Sequence, residues 1–465
     1  MATILFLDDQ RLNRLDNVRR RSGRPQPIEG SVYRDPHTNT PWGYPSVFQD
    51  QATGEWRMVY QSHTSDGRIV AVLATSHDGL SWEPRDTTRD LDLADRIVPH
   101  QILPLESFGE LACCFVDAYA EPGQRIKGLV TYPAADDLWR TRLWVSPDAL
   151  HWTLKEGVEW QESGPDPGVG VFWNDVRGSY VLTTRPDLAD RRITVFETRD
   201  WENFTEPELA LQADALDLPL TQLYGMPVVP YEGYYIGLLW LYHCSPEVKG
   251  HSPQKFYDGH VDCQLAYSLN GWHFQRGLRD AFIPNGAPGE PDCGCVYPSS
   301  VVAEQDGSLR IYASACTQEH GYRPPGSGSI LAYRLRRDGF VYMESLAGPG
   351  FIGTRPLYWQ GGEPSLNVQS QGGEARLQVT DQHGDTLEGY SFQDCEPFCG
   401  DDTQWQPAFK GGRGLTEQTG RTVRLEVMLH NARLFAIRGD FVPLTGAECR
   451  RFHEYGTVPQ PRKGY

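Results

Sequence analysis

The sequence predicts an all-β protein, a five-bladed β-propeller followed by a C-terminal β-sandwich domain. Two observations carry this. A turn motif, Ser76-His77-Asp78-Gly79-Leu80-Ser81-Trp82, returns as Ser146-Pro147-Asp148-Ala149-Leu150-His151-Trp152 and as Ser268-Leu269-Asn270-Gly271-Trp272-His273-Phe274, with a weaker copy at Thr198-Arg199-Asp200-Trp201-Glu202-Asn203-Phe204. Each copy follows a run of β-formers such as residues 69–74, so it reads as strand, tight Asp/Asn-Gly turn, and an aromatic residue opening the next strand. The second observation is composition: Gly 47, Pro 34, Trp 13, Tyr 22 and Phe 18 in 465 residues favour short strands and turns over long helices. A hairpin repeated at domain-scale intervals marks a repeat architecture.

Five passages carry the pattern. The first runs from 44–48 through 55–60 to the Ser76 turn. The second runs from 97–100 through 112–116 and 126–132 to the Ser146 turn, and the third from 169–173 through 178–183 to the Thr198 turn. The fourth has 226–230 and 234–240 before the Ser268 turn; the fifth has 296–302, 309–313 and 330–335. Radial repetition of such groups protects sheet edges, and five parallel instances of one pattern disfavour a large β-sandwich whose repeats are only hairpins. From Phe351 the pattern changes, and 364–368, 375–379, 422–429 and 433–437 alternate like strands of a separate sandwich. The expected boundaries are therefore 1–350 for the propeller with an N-terminal extension 1–40, 351–457 for the sandwich, and a tail at 458–465.

A formal net charge of −18 argues against non-specific binding to nucleic acid or anionic membranes. The N-terminal apolar run is cut at once by Asp8 and Asp9, and no later run is long enough to span a bilayer. The ten cysteines lack framework spacing, so reduced thiols in a cytoplasmic protein are expected. A Cys293, Cys295 and His260 zinc site lacks a second matched Cys pair, and no metal or other cofactor is predicted. Self-association is left open.

In a propeller, the segments before the inner strands and after the second strands meet at one end of the central channel. The first set offers Trp42, Tyr44, His100, Asp166, Tyr224, Glu290 and Asp292. The second offers Gln61, His63, Tyr132, Arg185, Tyr242, His243, Glu319 and His320, and Trp173 on the third inner strand joins the binding candidates. Aromatic faces stack on sugar rings, Arg and His bind hydroxyls, and two carboxyls cleave glycosidic bonds, so a carbohydrate is the expected partner. Asp166 serves as base or nucleophile and Asp292 or Glu290 as acid, with Asp35 and Glu29 nearby. Asp166 and Asp292 sit in Pro/Gly-rich loops that also suit Asx turns. Asp78, Asp148, Asp200 and Asn270 belong to the repeated turns and read as structural.

The turn motif, the phrase Gly54-Glu55-Trp56-Arg57-Met58-Val59-Tyr60, and Tyr224-Gly225-Met226-Pro227 with residues 231–238 resemble a bacterial branch of the five-bladed propeller glycosidases related to glycoside hydrolase families 32 and 43. Residues 377–381 through Trp405 resemble that branch's sandwich. The resemblance implies hydrolysis or transfer of furanosides, with a nucleophile or base, a stabilising Asp and a Glu acid from the first three blades. The chain departs from this pattern: W-M-N-D-P-N-G is missing, the first inner strand opens on Trp42-Gly43-Tyr44, and no Glu-Cys pair ends the third blade. Asp35 in Tyr33-Arg34-Asp35-Pro36 mimics the family's R-D-P triplet but precedes the first strand. The familiar triad is therefore not transferred. A phosphorolytic glycosidase, holding phosphate with Arg185, Lys249, His251 and Arg323, and a non-catalytic sugar-binding propeller are the alternatives. A sialidase is disfavoured because three arginines are not evident at the predicted pocket positions.

Overall fold

The computed structural model describes residues 2–50, 53–103, 109–133, 139–161, 170–185, 191–245 and 258–464. The chain divides into two compact units, Pro25–Arg334 and Met1–Arg24 with Leu335–Tyr465.

The first unit is the propeller. Blade one pairs Ser46–Gln49, Trp56–His63 and Ile69–Ser76, with Glu83–Pro84 and Gln101–Leu103 on its outer edge. Blade two is Glu110–Val116, Ile126–Pro133, Trp139–Ser146 and Thr153–Gln161. Blade three is Gly170–Asn174, Ser179–Thr184, Ile193–Thr198 and Glu208–Leu211. In blade four, Thr221–Gly225 and Val228–Tyr231 both pair with Tyr234–Cys244, which pairs with Gly259–Ser268. Blade five is Cys295–Ala303, Leu309–Cys316 and Gly328–Leu335.

Two features differ from the sequence expectation. Residues 97–100 do not lead into the second inner strand; they run into Gln101–Leu103, which pairs with the third strand of blade one. The N-terminal segment is not a propeller extension either. Gln26–Pro27 pairs with Gly328–Leu335 as the outer strand of blade five, and a Tyr33–Ile330 bridge follows. The start of the unit thus closes the last blade, covering an edge that would otherwise lie open.

The repeated motif works as expected and does more. Asp78 Oδ1 accepts from the Leu80 and Ser81 amides at 2.7 and 2.8 Å, and Asp148, Asp200 and Asn270 repeat the bond pattern. These two amides hold the Asp78 carboxyl at about 2. The next residue is left-handed in every copy, with φ of 72° at Gly79, 62° at Ala149, 63° at Trp201 and 67° at Gly271. The closing aromatic fills the seam to the preceding blade: Trp82 packs with Tyr312, Trp152 with the first blade's core, Phe204 with Trp160 and Phe274 with Phe172. The preceding blade also grips the turn, through Arg310 to Asp78 O at 2.8 Å, Arg57 to Asp148 O, and Asn174 to Asn270 O at 2.9 Å.

Gly79 shows how tight this latch is. A Cβ there would lie 2.4 Å from Arg310 Nη1 and 2.9 Å from Tyr312 Oη, at a φ that disfavours any side chain. Gly79→Ala is expected to cost about 2–3 kcal/mol, from left-handed strain plus overpacking, as measured by urea unfolding. A cost near zero would mean that the blade one and blade five seam does not depend on this turn.

The second unit is the sandwich. One layer contains Ala2–Leu5, Arg433–Pro443, Leu357–Gln369 and Asp401–Trp405, together with Val341–Ser345 and Val18–Ser22. The other contains Leu12–Asp16, Gly350–Thr354, Thr422–His430 and Glu374–Thr380, and the two are joined into one ten-stranded sheet where Leu357 and Tyr358 pair with Val423 and Thr422. Alternating Leu377, Val379, Leu425, Val427, Leu366 and Val368 are fully buried, the pattern that predicted the layer. Strands Ala2–Leu5, Leu12–Asp16 and Val18–Ser22 come from the region assigned to the propeller, so the sandwich is discontinuous in sequence. A helix, Gly446–Tyr455, opened by a Thr445/Glu448 capping box, closes the region expected to hold only strands. Among the described residues, no helix is long and apolar enough to cross a membrane.

Candidate functional site

Antiparallel pairing puts the start of each inner strand beside the end of the second strand: Gly170 faces Thr183, and Cys295 faces Cys316. That rim gathers a cup of aromatic rings packed on one another, in which Tyr44, Tyr224, Trp240, Tyr242, Tyr297 and His320 are all buried. In Tyr234–Cys244, alternation places Trp240, Tyr242 and Cys244 on one face and Leu239, Leu241 and His243 on the other. Tyr224 packs against Tyr242 at 6.1 Å and Tyr297 at 5.6 Å between ring centroids. His320 sits edge-on to Tyr224, Tyr242 and Trp42 at 4.8, 4.7 and 5.3 Å. His63 meets the other side of Trp42 at 5.5 Å.

Tyr44 joins the cup in a strained conformation. Its φ is 42°, in a region that bulky side chains avoid, while its ring stacks on Trp240 at 5.1 Å with 13° between planes. Such strain, of order 1–3 kcal/mol, is held by the surrounding packing and clusters at functional sites. Tyr44 and Trp240 also line the central channel, a cavity of about 550 Å³ walled by the inner strands.

Three guanidinium groups approach the cup. Arg185 lies 4.6 Å over the Tyr224 ring, Arg191 lies 5.3 and 5.7 Å from Tyr224 and Tyr242, and Arg323 lies 3.2 Å over Trp42. Burial, reinforced by the Arg323 charge, pulls the His63 imidazole down to about 4, so it is neutral at pH 7. Burial drives the Tyr242 and Tyr297 hydroxyls far above their ordinary range, and these remain donors. Glu319, beside His320, has one carboxylate oxygen shut off from solvent.

The structure brings together Trp42, Tyr44, His63, Arg185, Tyr224 and His320. It separates the others. His100 is fully buried, with Nε2 at 2.8 Å from Asp35 Oδ2, and Tyr60 donates to the same oxygen at 2.7 Å. Asp35 and His100 thus meet where the N-terminal segment packs on blade one, and not in the cup. Asp292 is buried and accepts from Tyr333 Oη at 2.6 Å, while Glu290 is exposed on the same loop. Trp173 packs on Tyr119 and Tyr180, near the turn after its strand and at the opposite end from Gly170. His243 faces away from Tyr242 and stacks on His260. Asp166, Lys249 and His251 lie outside the described residues.

Arg191, Tyr297 and Trp240 were missed. Trp240 and Tyr242 share a strand face by period two, a signal present in Trp240-Leu241-Tyr242; nothing local marks Arg191, which donates to Gln222 Oε1 at 2.7 Å and accepts the Leu223 amide on its carbonyl at 3.0 Å. The three arginines judged not evident from sequence do approach one cup. The Cys293, Cys295 and His260 grouping is not formed. Cys295 is cross-strand from Cys316, its thiol pushed up to about 12 by burial, and Cys293 points to Thr317 O at 3.3 Å.

No protein-family model matches the chain, and no curated protein matches it. Among solved structures it is similar to an N-acetylgalactosamine deacetylase from F. plautii in complex with blood group B trisaccharide, at 14% identity and TM-score 0.48 over 69% of this chain and 96% of that one. It is also similar to a thermostable family-43 glycoside hydrolase, at 15% identity and TM-score 0.41 over 66% and 95% of the two chains. A third is a mannose phosphorylase from Leishmania mexicana in complex with phosphate, at 12% identity and TM-score 0.41 over 68% and 88%.

Proposed function

We propose that the propeller is a glycoside hydrolase or transglycosylase that binds a furanoside or related small glycoside in the aromatic cup. The observation that carries this reading is the ring of Trp42, Tyr224, Tyr242 and His320 with Arg185 and Arg191 above it. Aromatic faces cover the apolar side of a sugar ring, and guanidinium and phenol donors satisfy its hydroxyls. For the carboxyl pair, Asp166 supplies the base or nucleophile from the third blade. Glu319 supplies the acid in place of Asp292, whose carboxyl is engaged by Tyr333. Protonation of the leaving oxygen by one group, with attack promoted by the other, follows the two-carboxyl scheme.

A second reading, phosphorolysis, is favoured by the guanidinium groups, whose forked geometry suits phosphate. A panel of aryl furanosides and pyranosides assayed with and without inorganic phosphate separates the readings. A hydrolase releases the aryl group in plain buffer; a phosphorylase does so only with phosphate and yields a sugar phosphate. Sugar binding without turnover on any member would overturn both in favour of a carbohydrate-binding propeller.

A further inference from the structure

We propose that blade four carries a divalent-metal site formed by His243, His260 and Asp262. The two histidines are direct cross-strand partners on Tyr234–Cys244 and Gly259–Ser268, with rings stacked at 4.5 Å and 20° between planes. Asp262 lies two residues beyond His260 and so on the same face of its strand. Its Oδ2 is 3.0 Å from His243 Nε2, and one ligand atom from each of the three residues lies within 4.8 Å of the others.

The polar accounting supports a ligand here. Both ring nitrogens of His243 and Asp262 Oδ1 are shut off from solvent, and no aligned hydrogen bond reaches them among the described residues. An ion between the three groups takes one His243 ring nitrogen and the Asp262 carboxylate together, each residue offering it one ligand atom. His260 is exposed, so its ring can swing to close the three ligands to the roughly 2.0–2.2 Å bonds of a first-row metal without repacking the core.

The donor set defines the chemical class. Two imidazoles and one carboxylate suit a first-row divalent cation such as Zn²⁺, Co²⁺, Mn²⁺ or Fe²⁺, and three protein ligands leave coordination positions open. His243 faces away from Tyr242, so the site lies on the opposite side of that strand from the aromatic cup. It does not depend on the glycosidase reading.

The test uses the full chain after treatment with chelator, titrated with Co²⁺ by visible absorption and with Zn²⁺ by calorimetry. The expected result is one Co²⁺ per chain with a nitrogen/oxygen spectrum lacking thiolate charge-transfer bands. His260→Ala, at an exposed position, and Asp262→Asn each weaken Zn²⁺ binding by about 100-fold, because a three-ligand site loses one of its ligands. Cys293→Ser leaves binding unchanged. Circular dichroism confirms that each variant is folded. Three outcomes overturn the proposal: no saturable binding by the untouched chain, binding that persists in both ligand variants, or a thiolate spectrum.

Discussion

Asp35→Ala is expected to destabilise the propeller by about 3–5 kcal/mol, since it strips the shared acceptor from two buried donors. Asp35 Oδ2 takes hydrogen bonds from Tyr60 at 2.7 Å and from His100 at 2.8 Å, Oδ1 takes the His37 amide at 2.9 Å, and Tyr60 contacts the Tyr33 hydroxyl at 2.9 Å. These residues join the N-terminal segment that closes blade five to the second strand and outer edge of blade one. Burial pushes the Asp35 carboxyl up, but the His100 hydrogen bond and charge and the His37 amide outweigh it and hold the pKa at about 2, against 3.8 for the free side chain. A carboxyl depressed in the folded state stabilises fully above its unfolded pKa, and this stabilisation is lost as pH falls through the folded value. The gap between wild type and Asp35→Ala in urea unfolding is therefore widest from about pH 5 upward and narrows toward pH 2. A cost below about 1 kcal/mol at neutral pH would show that this network does not hold the ring closed. It would also restore Asp35 as a candidate for chemistry.

That result bears on what a sequence can reveal about such a site. The turn motif was legible because its chemistry is local: an Asp or Asn accepting two amides, then a left-handed residue, then an aromatic. The strands of the sandwich were legible for a similar reason, since alternation alone marks their buried face. The closing strand was not, because Gln26–Pro27 is two residues long and its partner lies some three hundred residues away. Counting slots in the repeat identified the rim, and Tyr44, His63, Tyr224 and His320 came with it. Slot counting does not say whether a rim side chain turns toward the cup or into a seam. Asp292 turns to Tyr333, and His243 follows the strand's alternation to the far face. His100 was misplaced by register, because the run before it feeds an outer strand of the previous blade.

Arg185→Met is expected to lower kcat/KM by about 100-fold or more on whichever glycoside the chain turns over, with the chain still folded. The guanidinium is buried at the end of Ser179–Thr184 and rests on the Tyr224 ring at 4.6 Å. Methionine keeps most of the apolar stem, and the lost cation–π contact accounts for about 1–2 kcal/mol of stability. The loss of catalysis is larger because a charge-assisted hydrogen bond to a ligand is worth about 1.5–3 kcal/mol, and the fork provides two. The kinetic split identifies what the fork holds. If Arg185 grips the sugar, KM for the glycoside rises; if it grips phosphate, KM for phosphate rises while that for the glycoside stays near wild type. Arg185→Lys restores charge without the fork and is expected to recover only part of the activity. Wild-type kcat/KM in both variants would remove Arg185 from the binding cup and leave its role as the cover over Tyr224.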